Sequence, residues 1–255
     1  MTCSESFPAG TAIVVGGSGG IGRAVCRCLA KAGSDVALTF RSNRQAADEA
    51  VASIRAEGRH GTATALDLVD RAAVARFVED TASAFGRIHT LILATGADIS
   101  MSYVAELDDA EWDRTIEADL TGSYNVMKAV LPHLRKEGGS IVAMTSAALH
   151  RYAQKDVLSA VPKAAVEVLV KGIAREEGRF GIRANAVALG VIDAGLFHRL
   201  EERVTPEFVQ AMKRNTALKR FGTPEEAARL ATFLASANAS YVTGQSIALD
   251  GGYSI

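Results

Sequence analysis

Two side chains one helical turn apart raise the first chemical question about this chain. Lys163 enters a mostly apolar segment with the pattern of a helix, and Ser159 stands four residues before it. A phenol at position 159 would lie beside the ammonium group, which would lower the phenol's pKa and make it a proton donor near neutral pH. A serine hydroxyl has no accessible anion near neutral pH, so Ser159 cannot act in this way.

Lys163 also has a second interpretation. Lys163, Glu167 and Lys171 are spaced four residues apart and would form a charged stripe on one helix face. In that case the lysine is an ordinary solvated side chain, and both interpretations stay open here.

A glycine-rich stretch, VVGGSGGIGRA at 14–24, joins a short apolar run to a helical pattern. It matches G-x-G-x-x-G from Gly17 and G-x-x-x-G-x-G from Gly16, and both spacings end at Gly22. Either gives a tight turn, a close approach to a pyrophosphate and a helix N-terminus directed at it. We therefore expect dinucleotide binding, although a purely structural turn would use the same glycines. The candidate cofactor residues of this loop are Gly16, Ser18, Gly19, Gly20, Ile21 and Gly22.

The end of the second apolar run bears on the choice of dinucleotide. NAD sites usually carry an acidic residue there for the ribose 2′-hydroxyl, but this chain has Arg41 and Ser42. A guanidinium can bind a 2′-phosphate through two hydrogen bonds, so NADP(H) is favoured. The alternative is a solvated loop arginine.

Short apolar runs alternate with longer amphipathic segments along the whole chain. This alternation predicts an α/β fold, with one Rossmann-type doubly wound parallel sheet of about seven strands and helices on both faces. No linker or repeat divides the chain, so we expect a single domain over 1–255. The predicted strands are 11–16, 35–40, 62–66, 89–94, 140–145, 182–188 and 246–250. The predicted helices are 20–32, 43–57, 70–85, 108–135, 157–178 and 224–236.

Two helix starts and one long connection stand out. Asp108 with Glu111, and Thr223 with Glu226, have the spacing of a capping box. The segment 190–222 is predicted to be irregular and is a candidate substrate lid.

Composition excludes several classes of protein. The 255 residues include 28 Lys and Arg against 29 Asp and Glu, a net charge of −1 that predicts neither nucleic-acid nor membrane binding. The odd cysteine count (Cys3, Cys26 and Cys28) argues against a disulfide framework. Cys26 and Cys28 would point to different helix faces, so we expect no metal site. Without a spanning apolar run or a signal-peptide pattern, the expected location is cytoplasmic.

The chain resembles the classical short-chain dehydrogenases/reductases over nearly its whole length, especially the 3-oxoacyl-acyl-carrier-protein reductase branch. The resemblance implies hydride transfer between a nicotinamide and a carbonyl or alcohol carbon. The motifs that carry it are the glycine loop, ALDLVD, ILATG, EADLTGSYNVMKAVLP, GSIVAMTS, SAVPKAA, IRANAVALGVI and VTGQSIALDGG.

The resemblance also implies roles for individual residues. Ser146, 17 residues before Lys163, takes the place of the carbonyl-binding serine. Lys163 takes the place of the lysine that also holds the nicotinamide ribose, Ser159 that of the catalytic tyrosine, and Asp119 that of the relay asparagine. The implied cofactor contacts further along the chain are Asp67 and Leu68 at the adenine, Ala94 and Gly96 around the adenosine ribose, and Ile192.

The departures from the family pattern gather at the nicotinamide and proton-transfer half of the site. A threonine expected after the sixth strand, for example, is replaced by Ala194. His150, Tyr152 and Asp156 are candidate replacement acids, although each could be a pocket wall or an exposed loop residue. Asp119 could pair with Lys163, stay protonated and donate, or be a satisfied helix carboxylate.

Two functions are compatible with this pattern. The favoured one is an NADP(H)-dependent ketoreductase with an atypical proton source, acting on a small-molecule or acyl-carrier-bound carbonyl such as a 3-oxoacyl or polyketide-like substrate. The alternative is a catalytically silent dinucleotide-binding subunit that supports an active homologue. The resemblance implies a homo- or hetero-oligomer, a dimer or tetramer, formed through helices 108–135 and 157–178.

Overall fold

Seven parallel strands form the central layer of the protein. The computed structural model describes residues 7–96 and 98–255, so Cys3 and most of the segment used to exclude a signal peptide lie outside the described residues. The strand order is β3-β2-β1-β4-β5-β6-β7, which confirms the predicted Rossmann-type sheet. The strands are β1 (Thr11–Val15), β2 (Asp35–Phe40), β3 (Gly61–Ala65), β4 (Ile88–Leu93), β5 (Gly139–Ser146), β6 (Ile182–Leu189) and β7 (Ser246–Leu249).

Helices cover both faces of this sheet. They are α1 (Gly20–Lys31), α2 (Arg44–Ala56), α3 (Arg71–Phe85), α4 (Asp109–Thr115), α5 (Gly122–Leu134), α6 (Val157–Glu177), α7 (Leu196–Glu201), α8 (Pro206–Arg214) and α9 (Pro224–Ala235). A π-helical turn, Ile116–Thr121, joins α4 to α5.

Consecutive residues of β1 belong to two separate hydrophobic cores, because side chains alternate between the two faces of a strand. Val14 packs with Leu29 of α1 and Leu234 of α9. Its neighbour Ile13 packs on the opposite face with Val130 of α5. Every residue of β1 is buried, which explains why the strand is apolar from Ala12 to Val15 rather than alternating.

The predicted helix 108–135 is interrupted by the π-helical turn. Asp119 lies in this turn and is buried. A π-helical turn adds a residue to the helical repeat, and such turns are frequent at functional sites. The sequence predicted one regular helix here, and the structure corrects that prediction.

Of the two predicted capping boxes, one is confirmed and one is wrong. Thr223 and Glu226 exchange both hydrogen bonds at the start of α9. Asp108 instead accepts from the amide of Ala110, and the carboxylate of Glu111 accepts from the amide and the hydroxyl of Ser100. Glu111 is therefore committed to the loop after β4 and does not reach back to the helix start.

The segment 190–222 is more regular than the sequence indicated. It contains α7 and α8, and Phe197, Val209 and Phe221 form a small core of its own. The rings of Phe197 and Phe221 meet edge to face at 4.6 Å between centroids. The prediction of an irregular segment is wrong, because the segment contains two helices. The sequence did not indicate them, because the three core side chains are too far apart to give a clear helical period.

Two of the remaining expectations concern cysteines and membranes. Cys26 is fully buried and Cys28 is partly exposed, as expected for residues on different faces of α1. Across 7–96 and 98–255, no helix is both long and apolar enough to span a bilayer. Within the same ranges, no group of three or more His, Cys, Asp or Glu is arranged to hold a metal ion.

Candidate active site

Most of the site residues proposed from the sequence lie at or just beyond the carboxyl ends of six strands, whereas Asp119 lies in the π-helical turn and Ser159 and Lys163 lie in α6. After β3, at one edge of the sheet, the chain returns to the middle and forms β4 beside β1. The two halves of the sheet therefore meet between β1 and β4. Parallel α/β sheets bind ligands at such a switch point, outside the carboxyl ends of the strands. The fold therefore gathers these residues along one edge of the sheet.

The glycine loop is closely packed and leads directly into α1. Gly16 has a φ of +76°, and a Cβ there would lie 2.8 Å from the carbonyl oxygen of Ala94. A Cβ on Gly22 would overlap the carbonyl oxygen of Gly16. A Cβ on Gly17 would likewise lie 2.5 Å from the Cβ of Leu38, so the packing needs glycine at positions of both spacings and does not choose between them.

The start of α1 offers donors suited to an anion. Gly19 is the N-cap, and the amides of Gly20 and Ile21 donate no hydrogen bond to any residue of the described chain. First-turn amides have no partner within their own helix and favour a phosphate. Ser18 and Ile21 beside them are half-buried. The loop thus fits the pyrophosphate of a dinucleotide.

The loop after β3 is held against α5 by a residue that the sequence analysis missed. The Asn125 side chain donates to the carbonyl oxygen of Leu68 at 2.9 Å and accepts from Arg71 at 3.2 Å. Leu68 packs so closely on α5 that a Cβ on Gly122 would lie 2.8 Å from it. Asp67 is exposed and its carboxylate accepts from the amide of Val69. Asn125 therefore positions the candidate adenine-binding pair.

Arg41 and Ser42 are exposed immediately after β2. Near the end of β2, the carbonyl oxygen of Thr39 accepts a 3.0 Å hydrogen bond from the amide of Gly17. The end of β2 and the glycine loop are therefore tied together. This connection keeps the Arg41 side chain on the same edge of the sheet as the proposed pyrophosphate site.

Lys163 lies inside the protein. Its residue is 8% exposed, and its ammonium group donates to the carbonyl oxygen of Thr95 at 2.8 Å. The same nitrogen lies 3.6 Å from a carboxylate oxygen of Asp119, whose side chain is also buried. Lys163 therefore links α6 to the end of β4 and to the π-helical turn. The interpretation of Lys163 as a solvated surface lysine is wrong.

The other two residues of the predicted charged stripe also differ in exposure. Glu167, one turn after Lys163, is buried, and its carboxylate accepts 2.7 Å hydrogen bonds from Thr145 and Ser246. Lys171 is exposed. Glu167 fastens α6 to the ends of β5 and β7, a role that its four-residue spacing from two lysines concealed.

The two serines occupy distinct places around Lys163. Ser146 is the last residue of β5, and its hydroxyl oxygen accepts from the amide of Ala148 at 3.2 Å. Ser159 lies in the first turn of α6, one turn before Lys163, and is half-buried. The turn that follows Ser146 packs against α6, which brings the end of β5 to the helix that carries Ser159.

The start of the 190–222 segment lies against the glycine loop. A Cβ on Gly20 would be 2.8 Å from the Cβ of Ala194, and one on Gly195 would be 3.7 Å from the amide nitrogen of Gly20. On the other side, a Cβ built on Gly96 would lie 2.9 Å from the Cδ1 of Leu196. Residues 194–196 therefore reach across the cleft from the end of β6.

Ile192, another candidate cofactor contact, is buried beneath this segment. It forms a bridge with Gly222, and a Cβ on Gly222 would lie 2.6 Å from the Cδ1 of Ile192. Its side chain anchors the base of the segment.

An acidic side chain after β4 ties down α7. One carboxylate oxygen of Asp98 lies 3.2 Å from Arg199 and 3.0 Å from Arg203. Hydrogen bonds from Arg203 and then Arg199 lower the pKa of Asp98 below its ordinary value. These three residues, which we term the Asp98 clamp, join the two loops on opposite sides of the cleft. The sequence analysis did not identify them.

Comparison with known proteins identifies the family. A family model described as enoyl-(acyl carrier protein) reductase matches residues 15–254. The chain belongs to the short-chain dehydrogenase/reductase family. This short-chain dehydrogenase/reductase is therefore an oxidoreductase by type, and its family uses NAD(H) or NADP(H).

Three members illustrate how closely this short-chain dehydrogenase/reductase matches its relatives. The 3-oxoacyl-[acyl-carrier-protein] reductase of Staphylococcus epidermidis is 31% identical over 245 residues, 95% of this chain and 98% of the relative. A short-chain type dehydrogenase/reductase from Mycobacterium ulcerans superposes with a TM-score of 0.92 at 30% identity, covering 98% of this chain and 91% of that one. An NAD⁺-bound xylitol dehydrogenase superposes with a TM-score of 0.91 at 25% identity, covering 96% and 99%.

Proposed function

We propose that this protein is an NADP(H)-dependent ketoreductase of a 3-oxoacyl or polyketide-like substrate, with a proton source other than tyrosine. The observation that carries the proposal is the buried Lys163 ammonium, held at 2.8 Å from the Thr95 carbonyl oxygen. The burial of this lysine and its contact with the end of β4 support a role in holding the nicotinamide ribose. The 3-oxoacyl relative supports the substrate class.

Arg41 supports the choice of NADP(H) over NAD(H). The guanidinium is exposed, follows β2 directly and has no carboxylate beside it in sequence that would select a free 2′-hydroxyl. Bound NADPH supplies the hydride. In this proposal Arg41 and Ser42 hold the 2′-phosphate, the first turn of α1 holds the pyrophosphate, and Lys163 holds the nicotinamide ribose.

The 17-residue separation of Ser146 and Lys163 supports the assignment of Ser159 to the tyrosine position. In this assignment Ser146 binds the substrate carbonyl oxygen, and no phenol stands between it and Lys163. Asp119 takes the position of the relay asparagine, and its 3.6 Å approach to Lys163 supports the pairing interpretation. The ammonium group then orients the cofactor without a phenol to activate. The 190–222 segment serves as the lid, with residues 194–196 next to the cofactor.

A binding titration with two variants tests the cofactor assignment. We expect Arg41→Ala to weaken NADPH by roughly tenfold or more and to leave NADH within about twofold, because a charge-assisted contact contributes about 1.5–3 kcal/mol. The matched control is Arg55→Ala, which removes the same charge from the far end of α2, where the side chain is exposed. Tighter binding of NADH than of NADPH by the unchanged protein would refute the assignment.

A second pair of variants tests the active-site register. Ser159→Tyr places a phenol one turn before Lys163 and is expected to raise the rate of NADPH oxidation with a 3-oxoacyl thioester by about tenfold or more, since general acid catalysis contributes roughly 10²–10⁴-fold. Ser159→Phe is the control, because it adds the same ring without the hydroxyl. Equal rates for the two variants would show that the phenol does not meet the carbonyl oxygen.

A silent supporting subunit is the second candidate function, and an exposed apolar surface favours it. An open depression of about 510 Å³ lies between α5 and α6. Val168, at its edge, is 66% exposed. We propose that this surface, termed the α5–α6 groove, pairs with the same surface of another copy or of a homologous chain. It is lined by Arg71, Leu120, Thr121, Tyr124, Ala165, Val168 and Leu169.

Hydride-transfer activity, measured on the isolated chain and on the chain copurified with a coexpressed homologue, separates these functions. An active homo-oligomer of the isolated chain supports the ketoreductase. Hydride transfer that arises only when a homologue with the complete tyrosine-containing site is coexpressed supports the silent subunit.

A further inference from the structure

The loop before α6 brings a carboxyl group to the helix face that carries Ser159 and Lys163. Asp156 precedes Ser159 by three residues and Lys163 by seven, a spacing that places side chains on one face. Asp156 is half-buried. The other two candidate acids from the sequence differ, because His150 is exposed and Tyr152 is 56% exposed.

The Asp156 carboxyl group is not used to cap the helix. Asp156 is the N-cap residue of α6, yet its side chain makes no capping hydrogen bond. Asn43, Asp70 and Asp108 all accept such a bond from their own helices. An N-cap carboxylate is normally stabilised by that bond and by the helix dipole. Asp156 lacks that bond, and burial raises its pKa to about 6.

The neighbouring cations are engaged elsewhere. Arg151 donates to the carbonyl oxygen of Tyr253 at 2.9 Å, and Lys163 donates to the end of β4. Lys155 lies over an aromatic ring. Within 7–96 and 98–255, none of these forms an ion pair with Asp156, and burial is the only cause of the pKa rise. Besides Asp156, the titratable or charged groups of this loop are His150, Arg151, Tyr152 and Lys155, and those of the candidate site on α6 and the π-helical turn are Lys163 and Asp119.

A strained residue sets the direction of the loop at this point. Lys155 has a φ of +68°, in the left-handed region that non-glycine residues seldom occupy. Its ammonium group lies 4.5 Å from the ring centroid of Tyr103, in the segment after β4. Backbone strain of this kind persists where the surroundings enforce it and is concentrated at functional sites. The contact with Tyr103 holds the turn that presents Asp156.

We propose that the carboxyl group of Asp156 is the general acid of this protein and replaces the missing phenol. The carbonyl carbon of the substrate accepts the hydride that the bound cofactor supplies, and the C=O π bond breaks toward oxygen. That oxygen takes the proton of the Asp156 carboxylic acid. The products are the alcohol, the oxidised nicotinamide and the Asp156 carboxylate, which regains a proton from water. This inference rests on the proposed ketoreductase function.

Single-turnover hydride transfer from bound NADPH to a 3-oxoacyl thioester, measured against pH, tests the inference. For the unchanged protein we expect the rate to fall about tenfold per pH unit above about pH 6, because only the protonated acid donates. Asp156→Asn should lose about 10²–10⁴-fold and this pH dependence, while NADPH binding stays within about twofold. Asp156→Glu should keep part of the rate, and Ser159→Tyr combined with Asp156→Asn should restore it.

The outcomes separate this inference from the function on which it rests. An unchanged rate and pH profile in Asp156→Asn would overturn the role of Asp156 and leave the ketoreductase in place. An unchanged protein that binds NADPH but transfers no hydride, while Ser159→Tyr does, would also overturn it, since no acid would then be present. Absence of NADPH binding in every variant would overturn the ketoreductase, and the role of Asp156 with it.

Discussion

At the residue scale, the site is defined by which charges are buried and by what each one contacts. Lys163 and Asp119 form a buried pair 3.6 Å apart, whereas Asp156 is partly buried without an ion-pair partner among the described residues. Burial destabilises the charged form of the Asp156 carboxyl group and raises its pKa. Asp119 contacts Lys163 directly, whereas the role proposed for Asp156 is to exchange a proton.

The pKa of Asp156 predicts how stability should depend on pH. Burial raises it from an ordinary 3.8 to about 6, so the folded state binds more protons than the unfolded state between those values. The free energy of unfolding should therefore fall as pH rises through this window and stay reduced above it. Asp156→Asn cannot ionise and should be more stable than the unchanged protein by about 2 kcal/mol at about pH 8, with no gain below about pH 4.

Chemical denaturation at several pH values measures this difference. Asp70→Asn is the matched control, because Asp70 is an exposed N-cap that does accept its capping bond and Asn caps equally well. Asp70→Asn should change stability little at any pH. A loss of stability in Asp156→Asn at about pH 8 would contradict the burial explanation.

At the element scale, the Asp98 clamp holds α7 against the loop after β4. Asp98→Ala removes both ion pairs at once, so amide hydrogen exchange in 196–203 should become faster. Asp48→Ala is the control, since it breaks one exposed ion pair within α2 and should leave exchange in 196–203 unchanged. Equal exchange rates in the two variants would show that apolar packing alone holds α7.

Much of the fold was predictable because its elements bury continuous apolar runs or regular apolar faces. All seven strands lie within a residue or two of their predicted limits, and so do α1 and α9. The π-helical turn was not predictable, because its sequence continues the helical pattern of 108–135 without a local signal of the change in hydrogen bonding. The hydrogen bonds of Glu111 were not predictable either, because its partner Ser100 lies in a different element.

The candidate site was predictable where local spacing defines it and not where distant contacts do. The glycine loop, Lys163 and Ser146 were found from spacing and from family resemblance. Asn125, Glu167 and the Asp98 clamp were missed, since each joins residues far apart in sequence. For Glu167 the nearest signal, a four-residue spacing from lysines, pointed to solvent instead of to its buried hydroxyl partners.

At the scale of the whole molecule, the α5–α6 groove is the proposed interface with another copy or with a homologous chain. Val168→Lys should leave the fold intact, because Val168 is 66% exposed, but would place a charge inside the proposed interface. We expect the variant to sediment as a smaller species than the unchanged protein. Val104→Lys, at a site 69% exposed and outside the groove, is the control. An unchanged sedimentation mass for Val168→Lys would show that this surface is not the interface.

The close approach of residues 194–196 to the glycine loop has a consequence for the order of events during binding. Ala194 packs where a Cβ on Gly20 would come within 2.8 Å of it, beside the amides proposed for the pyrophosphate. If the segment is the proposed lid, residues 194–196 must move aside to admit a nucleotide and close beside it afterwards. Nucleotide association should then approach a ceiling at high concentration, fixed by how often residues 194–196 withdraw.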